Sequence, residues 1–372
     1  MKINFIDLPG QYKQIKKEVQ EEINKVLDSG QYILGKAVKD LEKQFAEYVG
    51  VKHAIACASG TDSLLIALLA LDIKPGDEVI TTPFTFIATA EVISLINAKP
   101  VFVDIEEDTF NIDPKKIEAA ITKKTKAIIP VDLYGQTADM DAINSIAKKH
   151  NIKVVEDACQ AFGSEYNGKL SGNLADIGCF SFFPSKNLGC YGDGGMLTTN
   201  DDNIARKLRL IANHGSEKRY EHEVIGLNGR LDTLQAAVLI VKMRYIKKWI
   251  ADRNTKGALY AKKLSGIPGI TPPIERTGNK HTYGQFTLRC NNRSELQKFM
   301  TENEIPTAVH YPKPLDIQPA FKALGYKQGA FPVSDKAAQE VISLPFFPEI
   351  TEEQMDMIVS AVKEFAKQPV AK

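Results

Sequence analysis

Between residues 53 and 183, short β-rich runs alternate with stretches long enough to hold a helix, and this rhythm limits the fold more than any other feature of the 372-residue chain. The runs are HAIAC (53–57), EVITT (78–82), PVFVD (100–104), KAIIPV (126–131), KVVED (153–157) and IGCFSFF (177–183). Such alternation predicts an α/β fold with a mostly parallel sheet. Ser59 can cap the first crossover helix, and Leu64, Leu65, Leu68 and Leu69 supply its apolar stripe, so that helix is placed near residue 60. Ahead of the sheet, Ile15, Val19, Ile23 and Val26 recur at helical spacing, as do Val38, Leu41, Phe45 and Tyr48, which predicts two amphipathic helices. After about residue 200 the alternation weakens. A helical pattern then begins near Leu231, passes through Leu234, Val238, Val241, Tyr245 and Trp249, and runs toward residue 263 as one long bridge. The Pro/Gly-punctuated stretch 264–280 follows, so the chain is divided into a large domain, 1–263, and a smaller C-terminal domain, 264–372.

Charge narrows the range of partners. Lys and Arg number 47 against 46 Asp and Glu, so no global field favours nucleic acid or an anionic membrane, and any anion site has to be local. The five cysteines have no metal-ligand spacing and their odd number argues against a full disulfide framework, which suits a reducing cytoplasm and predicts no metal site. Neither a secretory signal nor a membrane span is readable.

Open α/β sheets bind ligands beyond the carboxyl ends of their strands, and the chemically interesting residues fall there. Gly60 and Thr61 open a helix, where backbone N–H groups, a hydroxyl and the helix dipole suit a phosphate; taken alone, capping by Ser59 with Gly60 easing the turn is the plainer reading. Asp157 ends an apolar strand, where it can meet a buried cation such as a pyridinium nitrogen or cap a following helix. Phe86 suits either stacking on an aromatic ligand or the core. Lys186 lies in FSFFPSKNLGCYGDGG, preceded by aromatics and a proline and followed by Gly192, Gly194 and Gly195; a desolvated lysine in such a place becomes a nucleophile for an aldehyde carbon. Neither a P-loop nor a G-x-G-x-x-G fingerprint competes.

The ordered set ASGTDSL (58–64), TPFTFIATAEV (82–92), VVEDACQAFGS (154–164), FSFFPSKNLGCYGDGGM (180–196), NGRLDTLQAAVL (228–239) and VHYPKPL (309–315) resembles the DegT/DnrJ/StrS family of sugar aminotransferases, nearly end to end. The resemblance implies the pyridoxal-phosphate-dependent transferase architecture called fold type I: a large domain with a mostly parallel central sheet plus a smaller α+β domain. It implies that Lys186 holds pyridoxal 5'-phosphate as a Schiff base, that Asp157 pairs with the pyridine nitrogen, and that Gln160 lies against the ring near its phenolic oxygen. Phe86 would stack on the ring, with Gly60, Thr61 and Ser181 on the phosphate. Asn228 would complete the phosphate site from the other subunit of a homodimer with shared active sites, and L-glutamate would be the amino donor.

Within the family the tracts look most like the branch that aminates carbon 3 of a UDP-linked 3-keto sugar, the type acting on UDP-2-acetamido-2-deoxy-3-oxo-glucuronate for O-antigen and other surface polysaccharides. Arg219, Arg230, His310 and Tyr311 are the polar groups expected to face the sugar; an arginine fork suits a uronate carboxylate or a diphosphate. His310 has the alternative of a hydrogen-bonded interface residue. Competing readings are a 4-keto-sugar aminotransferase on a dTDP- or UDP-sugar, a sugar dehydratase of the kind that replaces the lysine, and a regulatory protein, for which no basic helix-turn-helix stands out.

Overall fold

The computed structural model describes residues 3–368. Two helices come first, α1 (Leu8–Ser29) and α2 (Lys36–Val49). Asp7 caps α1 by accepting from the Gly10 N–H, and α1 stops at Gly30, whose φ of 65° favours glycine. The alternating region follows as β1 (His53–Cys57), α3 (Gly60–Ala70), β2 (Glu78–Thr81), α4 (Ala88–Leu95), β3 (Lys99–Phe102), α5 (Pro114–Ala120), β4 (Thr125–Ile128), α6 (Met140–His150) and β5 (Lys153–Asp157). Then come the short β6 (Glu165–Tyr166) and β7 (Lys169–Leu170), followed by β8 (Ile177–Ser181), β9 (Gly195–Thr199) and α7 (Asp202–Ala212).

The main sheet has seven strands in the order β1-β9-β8-β5-β4-β2-β3, and β9 alone runs against the rest. Neither β9 nor α7 was expected from the pattern. GMLTT follows a glycine-rich turn with no crossover helix before it, so it returns beside β8 as an antiparallel strand. Both faces of the sheet are covered. On one, Phe45, Phe180, Phe182, Leu239 and Trp249 pack in a core built from α1, α2 and the two helices that follow α7; on the other, Ile66, Leu68, Val92, Leu208 and Ile211 pack beneath α3, α4 and α7. Each fully buried aliphatic or phenyl side chain stabilises the layer by roughly 1.5–3 kcal/mol.

The bridge is two helices rather than the single one expected, α8 (Thr233–Met243) and α9 (Ile246–Leu264). The last bonds of α8 tighten, Arg244 N–H to Val241 C=O and Tyr245 N–H to Lys242 C=O, and the chain re-aims before α9 begins. Its outer end joins the C-terminal core, where Tyr260 stacks on Phe286 at 4.3 Å between ring centres. Beyond it lie β10 (Ile270–Thr271), β11 (Asn279–Lys280), β12 (Phe286–Cys290), α10 (Arg293–Glu302), α11 (Pro332–Glu340), β13 (Val341–Leu344) and α12 (Glu352–Phe365). Strands β10-β12-β13 make an antiparallel sheet, and β11 pairs with β6. The stretch 264–280 is tied down rather than slack: Arg276 bonds Glu106 at 2.6 Å and Asp108 at 2.6 Å. Among the described residues no helix is long and apolar enough to cross a membrane.

Candidate active site

A cavity of about 440 Å³ opens at the carboxyl ends of the parallel strands, and Gly60, Thr61, Phe86, Asp157, Gln160, Ser181, Lys186, His310 and Tyr311 all line it. Cys159, Thr85, Thr89, Phe183, Ser185 and Asp193, which lie within the motif tracts but were given no role, also line it, as does Gln285, which lies in none of those tracts.

At the start of α3, Ser59 accepts from the Asp62 N–H at 3.0 Å, as a cap should. Gly60 is needed for room rather than for the turn: a Cβ there would lie 2.6 Å from Ser181 Cβ and 3.1 Å from Cys159 Sγ. The helix start is thereby pressed against the end of β8, which leaves its first N–H groups, without helical partners, at the cavity beside the Thr61 and Ser181 hydroxyls.

Asp157 caps no helix, because a turn follows β5. Its Oδ2 accepts from the Thr89 hydroxyl at 2.8 Å and its Oδ1 from the Cys159 N–H at 3.2 Å. Thr89 in turn lies 3.1 Å from the Thr85 hydroxyl. No cationic side chain pairs with Asp157 among the described residues, so its remaining lone pairs are available to a ligand. Phe86 is 53% exposed, whereas its neighbour Phe84 is the core residue. The Phe86 ring lies 6.2 Å from that of Tyr311, forming an aromatic wall.

Gln160 is oriented from both ends. Its Oε1 accepts from the Tyr134 N–H at 3.0 Å and its Nε2 donates to the Tyr311 hydroxyl at 3.2 Å. Tyr134, held at φ 58°, also donates its own hydroxyl to the His310 carbonyl, so one residue fixes both sides of the wall. His310 Nδ1 meets the Ser343 hydroxyl at 2.9 Å, and burial followed by the nearby Lys186 lowers its proton affinity. Burial likewise lowers that of Lys186, against the opposing influence of Cys159 and Asp157. No carboxylate forms an ion pair with Lys186 among the described residues. Its amine is thus biased toward the neutral, nucleophilic form.

Three expected site residues lie elsewhere. Asn228 and Arg230 line a separate surface hollow of about 470 Å³ together with Asp193, Ile33 and Gln235, and Arg230 donates to the Asn213 side chain at 3.0 Å and the Asn228 side chain at 2.6 Å. Asp193 belongs to both hollows, so the two adjoin. Arg219 is exposed, its guanidinium 4.9 Å from the Tyr220 ring, and within this chain it does not reach the cavity. The largest hollow, about 1470 Å³, lies between residues 3–5, the end of α10 and α12 and shares no lining residue with the cavity at the strand ends. Its polar lining consists of exposed groups such as Glu304, Glu353, Asp356 and Ser360.

The profile of the DegT/DnrJ/EryC1/StrS aminotransferase family matches residues 13–363. The chain is 51% identical over 98% of its length to a protein of Geobacillus stearothermophilus called a pleiotropic regulatory protein, covering 99% of it. It is 50% identical over 97% of its length to the UDP-2-acetamido-2-deoxy-3-oxo-D-glucuronate aminotransferase of Pseudomonas aeruginosa, covering 99% of that enzyme. Its structure resembles that of S. venezuelae DesV in complex with a ketimine intermediate, with a TM-score of 0.97, 39% identity and 99% of each chain covered.

Proposed function

The chain belongs to the DegT/DnrJ/EryC1/StrS aminotransferase family, and from that premise we propose that it carries pyridoxal 5'-phosphate on Lys186 and transfers an amino group from L-glutamate to carbon 3 of a UDP-linked 3-keto sugar. The observation that carries this reading is the convergence, in one cavity, of a lysine without an ion-pair partner, a carboxylate with free lone pairs and a helix start cleared by a glycine. The family's aminotransferases depend on pyridoxal phosphate.

The residues present fit that group. The α3 N-terminus with Thr61 and Ser181 would hold the phosphate, Phe86 would face the ring, Gln160 would lie along its edge, and Asp157 would face the ring nitrogen. Bound there, the cofactor supplies an aldehyde carbon and an electron-withdrawing ring. Lys186 Nζ would form the covalent link and, once freed by the donor amine, would act as general base and then general acid for the proton at the amine-bearing carbon. Asp157, fixed by Thr89 and the Cys159 N–H, would accept a hydrogen bond from the ring nitrogen. His310 and Tyr311 on the far wall face the sugar.

Asn228 and Arg230 would act on the cavity of a second copy, giving a homodimer with shared sites. The flanking Tyr32, Ile33 and Leu34 support this, being 47–49% exposed beside that hollow. The division at residues 263/264 then separates the cofactor-binding part from the part that carries His310 and Tyr311. A product amino sugar fits the biosynthesis of a surface polysaccharide in the cytoplasm.

Borohydride reduction of the yellow protein followed by peptide mapping tests the core of this reading; a label on any residue other than Lys186 refutes it. A glutamate-dependent assay over UDP- and dTDP-linked 3-keto and 4-keto sugars tests the substrate. Turnover confined to 4-keto sugars would replace the carbon-3 assignment.

A further inference from the structure

Behind Asp157, on the opposite face of the sheet, two more carboxyl groups are buried that the reaction does not use. The bridge Val131–Asp157 sets the register, with the Asp132 N–H donating to the Asp157 carbonyl at 3.0 Å. Val131 and Asp157 both line the cavity. Side chains alternate along a strand, so Asp132 and Glu156 both point to the reverse face. Both are wholly buried, at 0% exposure. Glu156 is an acceptor on both oxygens, from the Gly172 N–H at 2.8 Å and the Leu174 N–H at 3.3 Å. Asp132 Oδ1 accepts from the Ala138 N–H at 2.9 Å, but Asp132 Oδ2 has no partner able to donate to it. A buried oxygen without a donor is costly, and two carboxylates in contact in a dry interior cannot both be charged. One proton resolves both problems.

We propose that Asp132 is a neutral carboxylic acid whose Oδ2–H donates to the Glu156 carboxylate, and that this singly charged pair is a positioning element that sets a second negative charge behind Asp157. Burial, then Glu156, pushes the Asp132 carboxyl well above the ordinary range, and burial raises Glu156 as well, against the hydrogen bonds that favour its charged form. Other titratable groups facing the pair are Asp157 beside it on β5 and the Cys179 thiol on β8. Neither carboxyl has a salt-bridge partner among the described residues. The pair therefore adds one negative charge behind Asp157, whose own side chain reaches only the cavity for a cation. That consequence rests on the cofactor reading above, because a protonated ring nitrogen is the cation it would serve; the shared proton does not depend on it.

Infrared spectroscopy of the cofactor-loaded protein at pH 8 should show a carboxylic-acid C=O band that shifts on labelling with [4-¹³C]aspartate and is missing in Asp132→Asn. Absence of an aspartate-sensitive acid band from the wild type overturns the proposal, and this arm stands even if the variant fails to fold. Because folded Asp132 keeps a proton that the unfolded chain releases above its ordinary value of 3.8, wild-type stability falls as pH rises from there until the folded carboxyl itself ionises, well above the ordinary range. The unfolding constant of the wild type should rise about tenfold per pH unit relative to Asp132→Asn across that window; parallel curves count against the pair. Glu156→Gln, in which the pair becomes neutral, should shed cofactor on dialysis on the order of tenfold faster, and wild-type retention overturns the electrostatic role. A colourless wild type that keeps the acid band would refute the cofactor reading alone.

Discussion

Lys186 and Lys242 both lose proton affinity chiefly to burial, yet they sit in regions of different kind. Lys242, on α8, is 2% exposed; its amine donates to the Gly189 carbonyl at 2.5 Å and lies 4.7 Å from the Tyr191 ring, closed in by the core. It braces the loop that follows Lys186. Lys186 is only half-buried, because its amine opens on a cavity shared with Asp157, the α3 N-terminus and two aromatic rings. A lowered pKa reports removal from water; reactivity requires, in addition, space for a carbon to approach and groups that accept the charge that develops.

Replacing the two lysines tests that distinction most severely. Lys186→Ala should lower kcat by at least about 10⁴-fold and abolish borohydride labelling, while Lys242→Met should keep the label; equal losses would erase the contrast. Asp157→Ala should lower kcat by about 10²–10³-fold with cofactor still bound, measured by steady-state kinetics on spectroscopically matched samples. Lys242→Met should retain activity within about tenfold of wild type, its signature lying in stability instead. The folded pKa of about 8 lies below the ordinary value of 10.5, so the unfolded chain binds the extra proton between them and the wild type gains stability as pH rises from about 8 to about 10.5. Melting curves of the variant should lack that gain. The smallest effect is expected at the largest hollow: Ser360→Arg should change stability by no more than about 0.5 kcal/mol and leave turnover unaltered. A large loss there would mean that volume, and not convergent chemistry, marks the working region.

Local pattern foretold much of this molecule. HAIAC and KVVED begin and end where β1 and β5 do, and the two leading helices are present, because apolar period and capping are properties of neighbouring residues. Motif tracts likewise named nine residues that line one cavity. The reversed strand β9 escaped notice, since strand direction depends on which partner a segment finds, and a five-residue run carries no sign of it. So did the break at Arg244, where the apolar period continues through a tightened turn.

By itself, then, the order of residues determined the alternating sheet, the lysine and the carboxylate, because helix caps, strand alternation and motif spacing act over a few residues. Only the tertiary structure decided that Gly60 clears space for Ser181, that Tyr134 turns Gln160 toward Tyr311, that Arg219 stays outside the cavity, and that Asp132 faces Glu156 behind Asp157. Those facts depend on chain segments far apart in sequence meeting at fixed distances, and on burial, which no short stretch of sequence sets on its own.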